Sequence, residues 1–208
     1  LAGIVMLVAH MSFINPQITN LVPVLKSYWL TIHVSIITAS YGFLGLGALL
    51  GFLTLLLMIM KKRSNKERIN TQIRHLVAIN EISLIIGISM LTIGNFLGGV
   101  WANESWGRYW GWDPKETWSF VSIIVYALIL HLRFIKKLDS VFVFSIASFM
   151  GFATIIMTYF GVNYYLAGKH SYAASGAQAS IPDFVYYTLF VAIGICILAY
   201  RGRDVKTI

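Results

Sequence analysis

The 208-residue chain is 58% hydrophobic and only 12% charged, with a mean hydropathy of +0.74, which excludes an ordinary soluble domain of that length. Its formal charge of +8 would suit a nucleic-acid partner, but the basic residues cluster at the ends of apolar runs, where anionic membrane lipid accounts for them, so no nucleic acid is expected. The single cysteine, Cys196, lies inside an apolar run, which excludes an intrachain disulfide and Cys-x-x-Cys thiol chemistry.

A helix needs about 20 apolar residues to cross a hydrocarbon core of about 30 Å. The expected fold is therefore all-α, a polytopic transmembrane bundle of about six spans in a single domain, 1–208. The first run, Leu1 to Ile14, opens in mid-hydrophobic stride and lacks a basic n-region, so it is expected to be a truncated first helix. With the segment up to residue 31 it forms a partial helix and an outer loop. Spans are expected at 32–60, 82–100, 117–135, 141–161 and 182–200, with Ser64 to Asn80 as a short amphipathic helix between the first two. Gly42, Gly45, Gly47 and Gly51 give the 32–60 helix a small-residue face for close packing.

The segment 101–116 is expected to be a loop, and with the start of the next span it holds five of the six tryptophans: Trp101, Trp106, Trp110, Trp112 and Trp118. Asp113 suits the N-cap of the following helix, Pro114 its first turn, and Glu116 the third position of a capping box. Gly107 and Gly111 let the backbone turn closely. Such a run of rings fits either an aromatic belt at the headgroups or a surface for a planar hydrophobic ligand. The density exceeds what anchoring asks for.

Orientation follows from Lys and Arg, which favour the cytoplasmic side. Twelve of the sixteen lie in the 61–74 loop, at 133–137 and at the C-terminal tail. Lys26, Arg108, Lys115 and Lys169 lie in the alternate segments with Glu104, Asp113, Glu116 and Asp183, so the tryptophan loop is expected to face outward.

Histidines narrow the choice of ligand. His33, near the outer start of its span, and His170, in the outer loop before the last span, flank the tryptophan segment from separate parts of the chain. Neutral imidazole is a usual axial ligand of haem iron, and two such groups leave the porphyrin plane free to rest on tryptophan. Taken singly, His33 is also a plain helix-end polar residue and His170 a solvated loop residue. His131 falls about 21 Å into the span after the loop, where an ionisable group lines a path or snorkels to the nearby interface marked by Arg133. His10 falls in the incomplete first segment, and His75 among cytoplasmic polar residues.

The run Trp106-Gly-Arg-Tyr-Trp110-Gly-Trp112-Asp113-Pro-Lys-Glu-Thr-Trp118, with Ser27-Tyr-Trp29-Leu-Thr-Ile-His33 before it and His131 and His170 after it, resembles the WWD haem-handling family. Within that family it is most similar to the CcsA (ResC) type of System II cytochrome c biogenesis. The resemblance implies that haem b is substrate and ligand, that His33 and His170 are its external axial ligands, and that His131 is an intramembrane ligand on the route outward. It implies a bacterial cytoplasmic membrane, or else a plastid thylakoid, with the WWD loop on the periplasmic or lumenal side. The implied partners are a CcsB (ResB)-type membrane protein and an apocytochrome c whose Cys-x-x-Cys-His thiols are joined to haem vinyl groups. The chain would thus be one component of a holocytochrome c synthase. Alternatives are a System I-type WWD haem-delivery protein and a haem-containing electron-transfer subunit.

Overall fold

A computed structural model describes residues 27–166, Gly168 and 181–205; the expected first helix, with His10, and His170 lie outside these residues. The described residues form α1 (Tyr28–Met60), α2 (Lys66–Trp106), α3 (Pro114–His131), α4 (Val141–Tyr165) and α5 (Asp183–Ala199). The protein is an all-helical membrane bundle, with five helices among the described residues long and apolar enough to span a bilayer.

Two boundaries differ from the sequence expectation. The segment from Ser64 to Asn80 is no separate amphipathic helix: beyond one short turn at Arg63–Asn65 it is the start of α2, which runs unbroken for 41 residues. No proline or glycine interrupts it before Gly87, and at about 60 Å it is longer than any hydrocarbon core, so its polar first turns extend beyond the membrane. At the other end Trp101 and Trp106 belong to the last turns of α2 rather than to a loop, because the first residue able to end the helix in the left-handed region is Gly107, at φ 69°. Only 107–113 is loop.

The bundle is organised on the α1–α2 hairpin, against which α4 packs from α1's side; α3 packs on α2 and α4. One apolar cluster, around Leu44, Leu84, Leu91, Tyr126 and Ile155, occupies the middle; a second, around Leu55, Met58, Ile73, Val141 and Ala199, lies towards the basic end. Between them Ser148 Oγ donates to Gly47 O (2.9 Å) and to Asn80 Oδ1 (3.0 Å), tying α4, α1 and α2 at one buried point. Interhelical polar contacts of this kind hold helices together where lipid offers no hydrophobic drive. α5 leans lightly on α1 and α4 and is mostly exposed.

At the basic end, Asp204 meets Lys61 Nζ (2.5 Å) and Lys66 Nζ (2.6 Å) and joins the tail to the α1–α2 turn. Hydrogen bonding to Lys61 first, then Lys66, holds its carboxyl well below the usual range. Its contribution is present above about pH 4 and is lost as pH falls through the lowered value. Glu81 and Arg133 pair α2 with the turn after α3.

The small-residue face of α1 separates into useful and idle glycines. A Cβ on Gly51 would stand 2.8 Å from Ser145 O and 3.1 Å from Phe149 N, both backbone atoms of α4, whereas one on Gly42 would meet nothing within 4 Å. Gly51→Ala is therefore expected to force α1 and α4 apart and lower stability by about 1–3 kcal/mol. Gly42→Ala should leave the melting temperature in detergent unchanged or slightly raised. Thermal unfolding of the two variants side by side checks both.

Candidate functional site

The site is built where α2 ends and α3 begins. After Gly107, whose N–H bonds Asn103 O at 2.8 Å, the chain turns back so that a Cβ on Gly99 would stand 3.1 Å from Tyr109 O. The loop backbone thus lies directly on α2. Trp112 takes φ 57°, a conformation costly for a bulky residue. The next residue, Asp113, caps α3: Lys115 N donates to its Oδ1 at 3.0 Å.

Glu116 closes this corner. Its Oε2 accepts from Gly111 N (2.7 Å) and Asp113 N (3.2 Å), while Arg108 Nη1 stands 3.7 Å from Oε1. The capping box read from sequence is thus present, and one carboxylate at the head of α3 gathers two loop amides and a guanidinium. A side chain at Gly111 would have to displace the Arg108 guanidinium, which passes through the space its Cβ would fill. Arg108 also lies over the Trp106 ring, 5.7 Å from its centroid.

His33 reaches this corner from α1. Its Nδ1 lies 2.7 Å from Gly94 O of α2, and a Cβ on Gly98 would come within 2.5 Å of Cε1 and 2.8 Å of Nδ1. A carbonyl only accepts, so Nδ1 carries the proton and the lone pair of the neutral ring is on Nε2. Gly98 is the seat of the ring, and Gly94, one turn earlier, supplies its acceptor.

Two cavities flank the loop. One, of about 120 Å³, carries polar side chains on a mainly apolar wall and is lined by His33, Tyr41, Asn95, Lys115, Ser119 and Thr158 among others. The second, of about 430 Å³, is apolar and is lined by Phe96, Tyr109, Trp110, Trp112, Phe120 and Ile123 among others. Asn95, Gly99, Tyr109 and Trp110 belong to both. In the second, Trp110 and Trp112 meet edge to face at 5.6 Å. A π-helical turn at Met157–Gly161 carries Thr158, whose hydroxyl is 3.1 Å from Ser122 Oγ.

The sequence candidates therefore divide. His33, Trp110 and Trp112 line the cavities. Trp101 is 1% exposed and packs edge to face with Trp106 at 4.8 Å, as part of the core. Trp118 sits in the first turns of α3, its carbonyl accepting from Ser122 Oγ. His131 ends α3, roughly 25 Å along the axis from the cap; it is exposed, its Nδ1 lies 2.7 Å from Ala127 O, and its ring is 5.6 Å from Phe134. Gly168 lies so close to Asp113 and Pro114 that no side chain fits between them. Sequence reasoning missed Tyr41, Asn95 and Ser119, which carry no motif, and the Gly94, Gly98, Gly99 set, which does carry a small-residue spacing.

Because Glu116 is buried with three partners, Glu116→Ala should strand two amides and Arg108, costing about 2–4 kcal/mol in detergent melts. Glu116→Gln, which keeps an acceptor for the amides, should lose clearly less. The ordering is read from tryptophan fluorescence on heating.

Residues 1–170 match the Cytochrome C assembly protein family. A protein named NrfI from Wolinella succinogenes is 62% identical over 173 residues, which is 83% of this chain and 19% of that protein. The cytochrome c biogenesis protein CcsA of Chlamydomonas reinhardtii is 42% identical over 156 residues, 75% of this chain and 44% of its own. CcsA of Prochlorococcus marinus is 36% identical over 191 residues, covering 79% and 62%. The chain spans less than two thirds of the length of each of these relatives. With its tryptophan corner, its seated histidine and five spans among the described residues, it belongs to the cytochrome c assembly protein family, as a multi-pass membrane member.

Proposed function

We infer that this chain is the CcsA-type part of a System II cytochrome c synthase, presenting haem b at the outer membrane face for attachment to an apocytochrome c. The observation that carries the reading is His33, whose tautomer and position are fixed by the α2 backbone at the rim of an aromatic cavity. Haem is the substrate, and its vinyl groups are where thioether bonds to cysteine form. The chain's own part is to bind and orient. Nε2 of His33 is the donor nitrogen for iron, and the Nδ1–H···O contact raises its basicity and fixes the ring plane. Trp110, Trp112 and Tyr109 supply apolar and aromatic wall, and tryptophan faces suit a flat porphyrin.

His170 is the proposed second external ligand. It lies two residues after Gly168 in the sequence and outside the described residues, so its role rests on the resemblance. His131 is the proposed ligand of an inner site. Its Nδ1 is fixed by a carbonyl in the same way, but it is exposed on the bundle surface, where a ligand from another segment or from a CcsB-type partner would complete the site. The outward direction of the loop rests on the basic residues, which gather at the opposite ends of α2 and α3. The corresponding membrane is the bacterial cytoplasmic membrane, with the thylakoid as the plastid counterpart.

Purified protein is expected to show a bis-histidine haem spectrum. His33→Ala and His170→Ala should each weaken it and reduce holocytochrome c assembly at least tenfold; unchanged spectra and assembly in both variants would falsify the external ligation.

A further inference from the structure

Haem carries two propionates, and three outer-face cations follow the start of α1: Arg108, Lys115 and Lys169, the last outside the described residues. The other two are not equivalent. Arg108 is engaged with Glu116 at 3.7 Å and lies over Trp106. Lys115 makes no ion pair among the described residues; its Nζ is held by Asn163 Oδ1 at 3.2 Å and stands 5.7 Å from the Tyr159 ring centroid. It lines the same 120 Å³ cavity as His33.

That cavity is furnished for an acceptor. Ser119 is 6% exposed, lines it, and has a hydroxyl with no hydrogen-bond partner among the described residues; Tyr41 brings a second hydroxyl to its wall, whereas that of Thr158 is already donated to Thr154 O. Its volume holds about four waters at roughly 30 Å³ each, or the two methylenes and carboxylate of a propionate arm. Glu116 also lines the cavity, but its charge is already met by Arg108 and two amides; Asp113 attracts Lys115 through space, but it caps α3 and makes no ion pair with Nζ among the described residues, so the ammonium still has room for an incoming anion.

Resting on the haem reading above, we propose that Lys115 is the cation that receives one haem propionate, with Ser119 donating a second hydrogen bond, so that the cavity beside His33 reads the carboxylate edge of the porphyrin. Arg108 instead keeps the loop folded. Asn163 and the Tyr159 face hold the ammonium in place before the ligand arrives, which lowers the entropy cost of binding. The apolar cavity on the far side of Tyr109 and Trp110 is lined for a hydrocarbon edge.

The test is a spectroscopic titration of the purified chain in detergent with haem and with haem dimethyl ester, in which both propionates are blocked. It uses wild type, Lys115→Met, Lys115→Arg, Ser119→Ala and His33→Ala. Comparing the ratio of the two affinities between variants cancels the partition of each porphyrin into detergent. Wild type should prefer haem, and Lys115→Met should reduce that preference roughly tenfold or more while leaving the affinity for the ester unchanged. Lys115→Arg should restore most of it, and Ser119→Ala should remove a smaller part. A preference that persists in Lys115→Met overturns the proposal, and so does equal loss of both ligands, which would make Lys115 a structural residue. The His33→Ala arm separates the two claims: if that variant binds both porphyrins as wild type does, the ligation reading fails whatever Lys115 does.

Discussion

The contact on which the site depends is the seating of His33 on the backbone of α2. An imidazole whose Nδ1 meets a main-chain carbonyl at 2.7 Å, with its ring filling the space above Gly98, has its tautomer, tilt and depth set by helix packing. That packing is possible because Gly98 offers no side chain beneath the ring, while Gly94, one turn earlier, supplies the carbonyl and leaves its own bare face to Ile37 and Ile36. The α1–α2 hairpin is also the most extensive helix contact among the described residues, so the packing of the bundle stands behind the position of one nitrogen.

The second half of the site is organised by charge. In a loop pressed onto a membrane helix, amides without partners are expensive, and Glu116 meets two of them while neutralising Arg108. This corner lets the chain hold Trp112 at φ 57°, which sets the Trp110 and Trp112 rings at 89° to each other above the apolar cavity. Deeper in the bundle, Ser145 and Thr54 return their hydroxyls to carbonyls four residues back, whereas Ser83 donates to Phe43 O and Ser148 to Gly47 O across helices. Those cross-helix contacts hold the bundle where apolar surface alone gives no preference between protein and lipid.

Much of this was legible in the sequence, for identifiable reasons. Hydropathy marks spans because a bilayer leaves the backbone few alternatives, and the Asp113–Glu116 cap is readable because it is local in sequence. Trp101 and Trp106 were not readable as helix, since clustered tryptophan carries no strong helical signal and only the left-handed Gly107 marks the end. The smaller cavity was hidden for a different reason: Tyr41, Asn95, Ser119 and Thr158 come from four helices and meet only through tertiary packing. The spacing of Gly94 and Gly98 was visible, but nothing in it said which partner it received.

His33 and His131 show how one chemical device gives two behaviours. Each has Nδ1 against a carbonyl at 2.7 Å, which leaves the lone pair on Nε2. For His33 the carbonyl belongs to another helix and the ring is wedged between helices, so its position is preset before any ligand arrives. For His131 the carbonyl is one turn back on its own helix and the side chain is exposed, so its ring is fixed only locally and any further constraint must come from what covers it. A rigid donor suits a station where a substrate must be held in one orientation for chemistry at its edge. A donor completed from outside suits a station that must also let go; on the proposed haem reading the first would stand beside the tryptophan corner and the second at the far end of α3.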